Sequence, residues 1–492
     1  MTLPGTVLVA NRGEVAARIL RTLRRLGIRS AIVYHASDRD SLAVRNADVA
    51  VEVFGETPVG AYLDMAAIIA AAKEAGADAI HPGFGFLSER AEFAEAVAAA
   101  GMTFVGPPPS AIRAMGDKIE SKRLAELAGV PVLPSSPDAV ATQEEALAEA
   151  ERIGYPVLLK ASAGGGGKGM RIAHDAAECA AAFDTSTREA AASFGDGRVY
   201  VERYVARPRH IEVQVLADSF GNVLHLGERE CSIQRRYQKV IEEAPSPFLD
   251  EETRDAMTAT ACALAKSVGY ASAGTVEMIV DENRDFFFLE MNTRLQVEHP
   301  VTELITGVDI VEQQLRVAAG EPLALSQADI GLDGHAIEAR VYAEDADNGY
   351  LPETGRLHLV RLPSGPGIRV DHSVVEGQDV TAAFDPMIAK VAAHGRDRAE
   401  ATARLRQALR DTVLLGVRTN TAFLERVLAH PAFACGDTTT AFLVEHADAL
   451  GTPAPTSEQE QLLVTVAAMS SRAFDPRFEV DGPAAGMGAW RP

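Results

Sequence analysis

Two hydrophobic periods divide the chain. Residues 6–10 (TVLVA) form a short apolar run of the kind that makes a buried strand. After NRGE, Val15, Ile19, Leu23 and Leu26 recur at helical spacing, with Arg18, Arg21, Arg24 and Arg25 on the other side. A second strand, residues 30–35, follows Gly27. This β-α-β opening lacks the G-x-G-x-x-G that joins strand to helix in a dinucleotide fold, which leaves NAD binding without its phosphate loop. Residues 78–81 read as another strand end, followed by PGFGFLSE. Glycines there permit close ligand approach at the carboxyl end of an open sheet, although a plain tight turn explains them equally well.

Further on, strand alternation dominates. Residues 155–175 read as strand, glycine loop, strand, and residues 199–204 and 210–217 as two more strands, with His210, Glu212 and Gln214 on one face. Residues 274–280 and 286–289 pair around the polar turn 281–285. Residues 335–342 place Glu338, Arg340 and Tyr342 on one face and Ile337, Ala339 and Val341 on the other, so a buried ion pair is the local reading of Arg340. Short strands and turns fill 350–394, and helical patterning returns at 398–410 and 418–430. Residues 448–492 comprise a Pro/Thr linker, a helix near 458–470 and a Gly/Pro-rich end with the only tryptophan, Trp490; this tail is expected to be peripheral or poorly ordered.

Length and charge narrow the class. A chain of 492 residues should fold as several domains. Against 69 acidic residues stand 47 basic ones, a net charge of −22, which opposes general nucleic-acid or anionic-membrane binding but permits a locally basic cleft. The N-terminus shows no cationic region followed by a signal-length apolar core, and no stretch is long and apolar enough to span a bilayer. Cys179, Cys231, Cys262 and Cys435 lie far apart, without metal or disulfide spacing, so the cytoplasm is the expected compartment.

Candidate chemistry concentrates in residues 286–300, FFFLEMNTRLQVEHP. Glu290 and Asn292 share a strand face, and if Val280 pairs with Phe287, Glu277 lies opposite Glu290. Two opposed carboxylates destabilise a sheet; a divalent cation removes that cost, and hard oxygen donors suit magnesium carrying nucleotide phosphates. An exposed acidic sheet face is the alternative. In KASAGGGGKGM only glycines let successive amides crowd a phosphate, with Lys160 and Lys168 able to meet its charge. No G-K-S/T opens a helix there, so this is not a Walker loop; a flexible linker is the competing account. Gln234, Arg235, Arg236 and Lys239 within a short span suggest an anion site, or else a solvated basic loop.

ANRGEVAARILR, SDRDS, AIHPGFGFLSE, MGDK, KASAGGGGKGM, ERECSIQRRYQK, EMNTRLQVEHPVTE and GHAIEAR occur in this order over roughly residues 4–447. Together they resemble biotin carboxylase, the ATP-grasp component of acetyl-CoA, propionyl-CoA and methylcrotonyl-CoA carboxylases and of pyruvate carboxylase. The resemblance implies a multidomain α/β and α+β chain: a Rossmann-like N-terminal domain (1–117), an ATP-grasp domain (118–334, with a mobile lid at about 132–204) and a C-terminal domain (335–447). Residues 448–492 would then be a linker or tail, similar to the connector that leads to a carrier domain in longer subunits.

The same resemblance implies the chemistry. ATP converts bicarbonate to carboxyphosphate, which releases carbon dioxide for capture by the ureido nitrogen of biotin. Lys118, Lys160, Gly166, Gly167, Glu202, Arg203, Tyr204, Val205 and His210 would bind nucleotide, with Gln234 and Tyr237 beside it. Glu277, Glu290 and Asn292 would hold two magnesium or manganese ions. Lys239 and Arg294 would hold bicarbonate, assisted by the Val297 amide; Glu298 would be the base, and Arg340 would stabilise the ureido oxygen. Phe84 and Gly85 would border the biotin pocket. Tyr237 departs from the histidine of several members, and Ala163 replaces a loop glycine.

In this family the biotinylated lysine follows a methionine, and none of the 11 methionines here precedes a lysine. Biotin is therefore expected on a carrier that is another polypeptide or a missing piece. The implied partners are that carrier, a carboxyltransferase subunit and a second copy of the chain. Other readings are a pyruvate carboxylase-type component, an ATP-grasp ligase of the carbamoyl-phosphate or purine type, and a nucleotide-binding regulatory subunit without chemistry.

Overall fold

The computed structural model describes residues 2–161 and 170–473. Gly166 and Gly167, with Ala163, Lys168 and Trp490, lie outside the described residues. The chain divides into a unit spanning residues 1–450 and a second spanning 451–492. The second contains the helix Ser457–Ala473, close to the expected 458–470.

The N-terminal strands are β1 (Thr6–Val9), β2 (Arg29–Tyr34), β3 (Val49–Glu52), β4 (Ala79–His81) and β5 (Thr103–Phe104). They form one parallel sheet in the order β3-β2-β1-β4-β5, as the continuous apolar runs require of strands buried on both faces. Helix α1 (Gly13–Leu26) connects β1 to β2 and ends on Gly27 in the left-handed region, φ 70°. The sequence pattern puts Arg18 on the polar side of α1, but the structure buries it, along with Glu14. Arg18 reaches Glu303 at 2.8 Å and Asp309 at 2.9 Å, partners too distant in sequence for periodicity to register.

A small antiparallel sheet, β6 (Val157–Ala161), β7 (Arg171–Ala173) and β8 (Val199–Arg203) in the order β7-β6-β8, packs against the helices Gln143–Ile153 and Ala176–Phe194. It has its own core around Val157, Leu159, Phe183, Val199 and Val201. That core is separate from the neighbouring ones.

The largest sheet has eight strands. It runs through β9 (Arg209–Ala217), β10 (Val223–Arg235), β11 (Gln238–Ala244), β12 (Ser272–Val280), β13 (Phe286–Asn292) and β14 (His335–Tyr342) in the order β13-β12-β9-β10-β11-β14. The strands Met387–Gly395 and Ile368–His372 complete it. The sheet therefore crosses residue 335 without a break, since Ile241 on β11 pairs with Ala339 on β14. Alternation decides its faces. Ile211, Val213 and Val215 of β9 pack with Met257, Ala261 and Leu264 of the helix Glu251–Ser267. The intervening His210, Glu212 and Gln214 turn to the opposite face, where the polar groups collect.

One buried carboxylate gives the fold a pH dependence. Glu230 on β10 stands opposite Glu243 on β11, and its Oε2 accepts a hydrogen bond from Ser246 Oγ at 2.7 Å. Burial pushes its pKa up to about 7, from an ordinary 4.5. The folded protein thus binds this proton more tightly than the unfolded chain. The stabilisation is complete below pH 4.5 and is lost as pH rises through 7. Denaturant unfolding should show Glu230→Gln losing this part of the slope, on the order of 3 kcal/mol between pH 4.5 and 7.5. Parallel profiles for the two proteins would contradict the assignment.

Candidate active site

The β12–β13 hairpin turns on Asp281, whose Oδ1 accepts from the amides of Asn283 (2.8 Å) and Asp285 (2.9 Å). Glu277 does pair with Glu290, but Val280 pairs with Phe286, not Phe287. A register irregularity between Glu277 and Met278 absorbs the difference of one residue. On its other side Glu277 pairs with Glu212 of β9, so three carboxylates stand in a row across three strands. Such a row repels itself unless cations enter it.

Lys239 enters it from the start of β11. Its Nζ lies 2.5 Å from Glu212 Oε2, 2.8 Å from Glu277 Oε1 and 2.6 Å from Glu298 Oε1. Arg229, fully buried, donates to Glu212 Oε1 (2.5 Å), Gln214 Oε1 (2.8 Å), Thr302 Oγ1 (2.9 Å) and Thr275 Oγ1 (3.1 Å). Arg340 donates to Glu298 Oε2 at 3.0 Å and to Glu242. The locally expected ion pair of Arg340 is real, and one of its two partners is Glu298. His210 Nδ1 sits 2.9 Å from Gln234 Nε2, which can only donate, so Nε2 carries the ring proton and faces Glu277 Oε2 at 3.0 Å.

These contacts set the charge states. Burial pushes Glu298 up, but Lys239, Arg340 and Arg229 outweigh it and hold the carboxyl well below the usual range. Glu277 is likewise lowered against burial, by Lys239 and His210. Glu290 behaves oppositely: burial and then the charge of Glu277 raise its pKa, with Lys118 only a partial offset. Among the described residues no hydrogen bond reaches the Glu290 carboxylate. Beside it, Asn292 Nδ2 is buried without a partner. Two opposed carboxylates, one of them without a hydrogen-bonding cation, are a donor set suited to a hard divalent cation; Asn292 Oδ1, which accepts from Arg294 at 2.7 Å, would join them by exchanging that contact. Two tighter clusters converge within 4.8 Å, His210–Glu212–Glu277 and Glu212–Cys231–Glu298. Burial keeps the Cys231 thiol protonated, so the second suits magnesium poorly.

Arg294 adjoins this row. It donates to Glu89 Oε2 (3.0 Å), Gln296 Oε1 (3.0 Å) and Asn292 Oδ1 (2.7 Å), and Gln296 in turn reaches Glu277. Lys118 opens the helix Lys118–Leu127, capped by Asp117, and burial lowers its pKa. Lys160 on β6 and Lys122 both pair with Glu202 on β8; together they outweigh its burial and bring its pKa to about 2. Arg203, Tyr204 and Val205 form the exit from the small sheet, where the Tyr204 amide donates to Pro156 O at 3.1 Å. Phe84 O accepts from Asn11 Nδ2 at 2.7 Å and Gly85 has φ 68°, which orders this glycine-rich turn around the buried Asn11.

The basic span 234–239 splits. Gln234 and Lys239 join the carboxylate row, whereas Arg235 pairs with Glu344 and stacks over Tyr350 at 4.9 Å. Arg236 and Tyr237 occupy the turn with φ of 50° and 66°, and Tyr237 is exposed. Sequence reasoning missed Glu212, Arg229, Glu242, Lys122, Glu89 and Gln296 as members of the site. Only Glu212 carried a signal, its shared face with His210.

Three family descriptions match consecutive parts of the chain: "Biotin carboxylase, N-terminal domain" over residues 4–112, "Carbamoyl-phosphate synthase L chain, ATP binding domain" over 117–326 and "Biotin carboxylase C-terminal domain" over 338–445. The chain is 50% identical over 441 residues to a biotin carboxylase of Halalkalibacterium halodurans, covering 89% of this chain and 97% of that one. It is 50% identical over 499 residues to a propionyl-CoA carboxylase alpha chain of Ruegeria pomeroyi, covering 97% of this chain and 73% of the relative. The human mitochondrial propionyl-CoA carboxylase alpha chain is 51% identical; 96% of this chain matches 65% of that one. Among solved structures, the biotin carboxylase domain of Hydrogenobacter thermophilus 2-oxoglutarate carboxylase, with MgADP, ADP and bicarbonate, superposes with a TM-score of 0.89 at 44% identity. It covers 92% of this chain and 100% of its own. A biotin carboxylase–βγ-ATP complex from Campylobacter jejuni gives 0.88 at 44%, over 90% of this chain and 99% of that one.

Glu290→Gln removes the least neutralised donor of the row. Magnesium titration of nucleotide-dependent activity should shift its midpoint upward at least about tenfold, the scale of lost metal-site partners. An unchanged midpoint would exclude a metal-binding role for Glu290.

Proposed function

Because the chain belongs to the biotin carboxylase family, we propose that it uses ATP and bicarbonate to carboxylate biotin held on a carrier, the first half-reaction of an acyl-CoA carboxylase. The observation that carries this reading is the junction of Lys239, Glu298 and Arg340 beside the Glu277–Glu290 pair. It unites an anion-binding ammonium, an ionised carboxylate and a buried guanidinium within one contact network.

Lys118 and Lys160 would meet the nucleotide phosphates. Glu277, Glu290 and Asn292 would hold magnesium or manganese, which supplies charge neutralisation for phosphoryl transfer when bound. Bicarbonate would sit on Lys239 and Arg294. A substrate anion there adds negative charge beside Glu298 and draws Lys239 away from it, and both effects raise the proton affinity of Glu298 toward that of an effective base. The bicarbonate proton would pass to Glu298 while its oxygen attacks the terminal phosphorus and ADP leaves, giving carboxyphosphate, which splits into carbon dioxide and phosphate. Arg340 would then release Glu298 in part and stabilise the oxygen charge that develops on biotin as the released phosphate takes the ureido N–H proton and the nitrogen attacks carbon dioxide.

We assign 1–117, 118–334 and 335–447 as the working domains, with 132–204 as the lid. A biotinylated carrier, a carboxyltransferase subunit and a second copy of this chain are the proposed partners. The cysteines of the described residues are free, which suits a reducing compartment such as the cytoplasm; no helix among the described residues is long and apolar enough to cross a membrane.

Purified protein with free biotin should hydrolyse ATP only when bicarbonate is present, and hydrolysis indifferent to bicarbonate would reject the reading. Lys239→Gln and Arg294→Ala should each lose at least about 2–3 kcal/mol of transition-state stabilisation, as removed oxyanion donors do; near-normal turnover in both would reject their roles. Hydrogen exchange across 135–161 and 170–203 should slow when MgATP binds, because closure over nucleotide excludes solvent. Identical exchange with and without nucleotide would contradict a moving lid.

A further inference from the structure

The residues just before Glu298 are held from behind by two side chains outside the proposed chemistry. Lys390, on the strand Met387–Gly395, is one of the largest fully buried side chains in the molecule. Its Nζ donates to Val297 O at 2.5 Å and lies 3.2 Å from Glu14 Oε2 of α1. His299 Nδ1 lies 2.7 Å from Gln296 O, and its Nε2 lies 3.2 Å from Arg18 Nε. A carbonyl can only accept and a guanidinium can only donate, so His299 carries its proton on Nδ1 and presents Nε2 as an acceptor. Burial and then Lys390 and Arg18 hold this imidazole neutral, which keeps the tautomer fixed.

Two consecutive carbonyls, Gln296 and Val297, are thus pinned. A trans peptide points its N–H opposite to its C=O. Fixing Gln296 O therefore fixes the direction of the Val297 N–H, and fixing Val297 O sets the peptide from which Glu298 extends. The amide and the carboxylate assigned to bicarbonate are both aimed by this pair of contacts. Lys390 also faces Arg340 directly across the β14 register, so one buried ammonium adjoins both the bicarbonate turn and the residue assigned to biotin.

We propose that Lys390, with Glu14 behind it and His299 beside it, is a positioning residue that preorganises the 296–298 turn for bicarbonate. Glu14 is buried on a helix face that is otherwise mainly apolar, and Lys390 is the cation that lies against it. A methionine or leucine in place of the lysine would pack the same space at lower desolvation cost. The ammonium instead sits where it holds a carbonyl.

The proposal rests on the biotin carboxylase reading and is tested in the full chain with Lys390→Met, which keeps volume and removes the charge. Steady-state kinetics of ATP hydrolysis with free biotin should show kcat/KM for bicarbonate falling roughly 10- to 100-fold, the scale of lost orienting partners, while KM for ATP stays within about threefold. A folded variant with unchanged bicarbonate kinetics, or with ATP and bicarbonate parameters falling equally, overturns it. If Lys390→Met does not fold, Glu14→Gln decides: it should weaken bicarbonate use several-fold with ATP binding preserved, and wild-type bicarbonate kinetics overturn the proposal. Wild-type protein without bicarbonate-dependent hydrolysis fails the functional reading itself, whereas a dependent wild type with an indifferent variant fails only this inference.

Discussion

One ammonium group organises this molecule. Lys239 touches carboxylates from β9, β12 and the start of the helix His299–Thr306, and without it those segments would bring mutually repelling charges into a buried space. Removing one partner of such a network leaves uncompensated buried charge, which is far costlier than replacing the whole set by apolar groups. The eight-stranded sheet therefore carries on one face a polar row that serves no packing purpose. An arrangement this expensive to bury is where substrate anions and cations find complementary charge already in place.

The surrounding fold explains why the row can exist. Each strand sends its alternate residues into an apolar layer, as Ile211, Val213 and Val215 do on β9, so the sheet is stabilised from the other face. Helix α1 closes the site from behind with Glu14 and Arg18, one helical turn apart. The small sheet β7-β6-β8, with its separate core, carries the paired Lys160 and Glu202. The small sheet and the large one thus have independent cores, and the pairing of Lys122 with Glu202 is one contact that joins the small sheet to the helix Lys118–Leu127.

How far this was legible in the sequence depended on the range of the interaction. Strand and helix periodicity is local, and it located β9, β12, β13, β14 and α1 closely; the opposition of Glu277 and Glu290 was read from a Val280–Phe287 pairing and holds although Val280 pairs with Phe286. The register irregularity beside Met278 did not follow, because a bulge leaves little trace in hydrophobic pattern. Glu212 was visible only as a neighbour of His210 on a polar face. Arg229 and Glu242 enter the site through pairs formed after the strands assemble, and nothing local distinguishes them from surface charges. Arg18 shows the same failure from the other direction, a charged residue on an apparently polar helix face that long-range partners draw inside. The separation of Lys239 from Arg235, Arg236 and Tyr237 depends on a turn with two residues in the left-handed region, which no property of the basic span announces.

Anomalous diffraction at the manganese edge, from crystals grown with Mn2+, bicarbonate and a non-hydrolysable ATP analogue, would locate cation and substrate relative to the carboxylate row. Manganese should be ligated by Glu277 and Glu290, with bicarbonate in contact with Lys239 and Arg294. Manganese bound away from that pair, or bicarbonate remote from both cations, would contradict this placement.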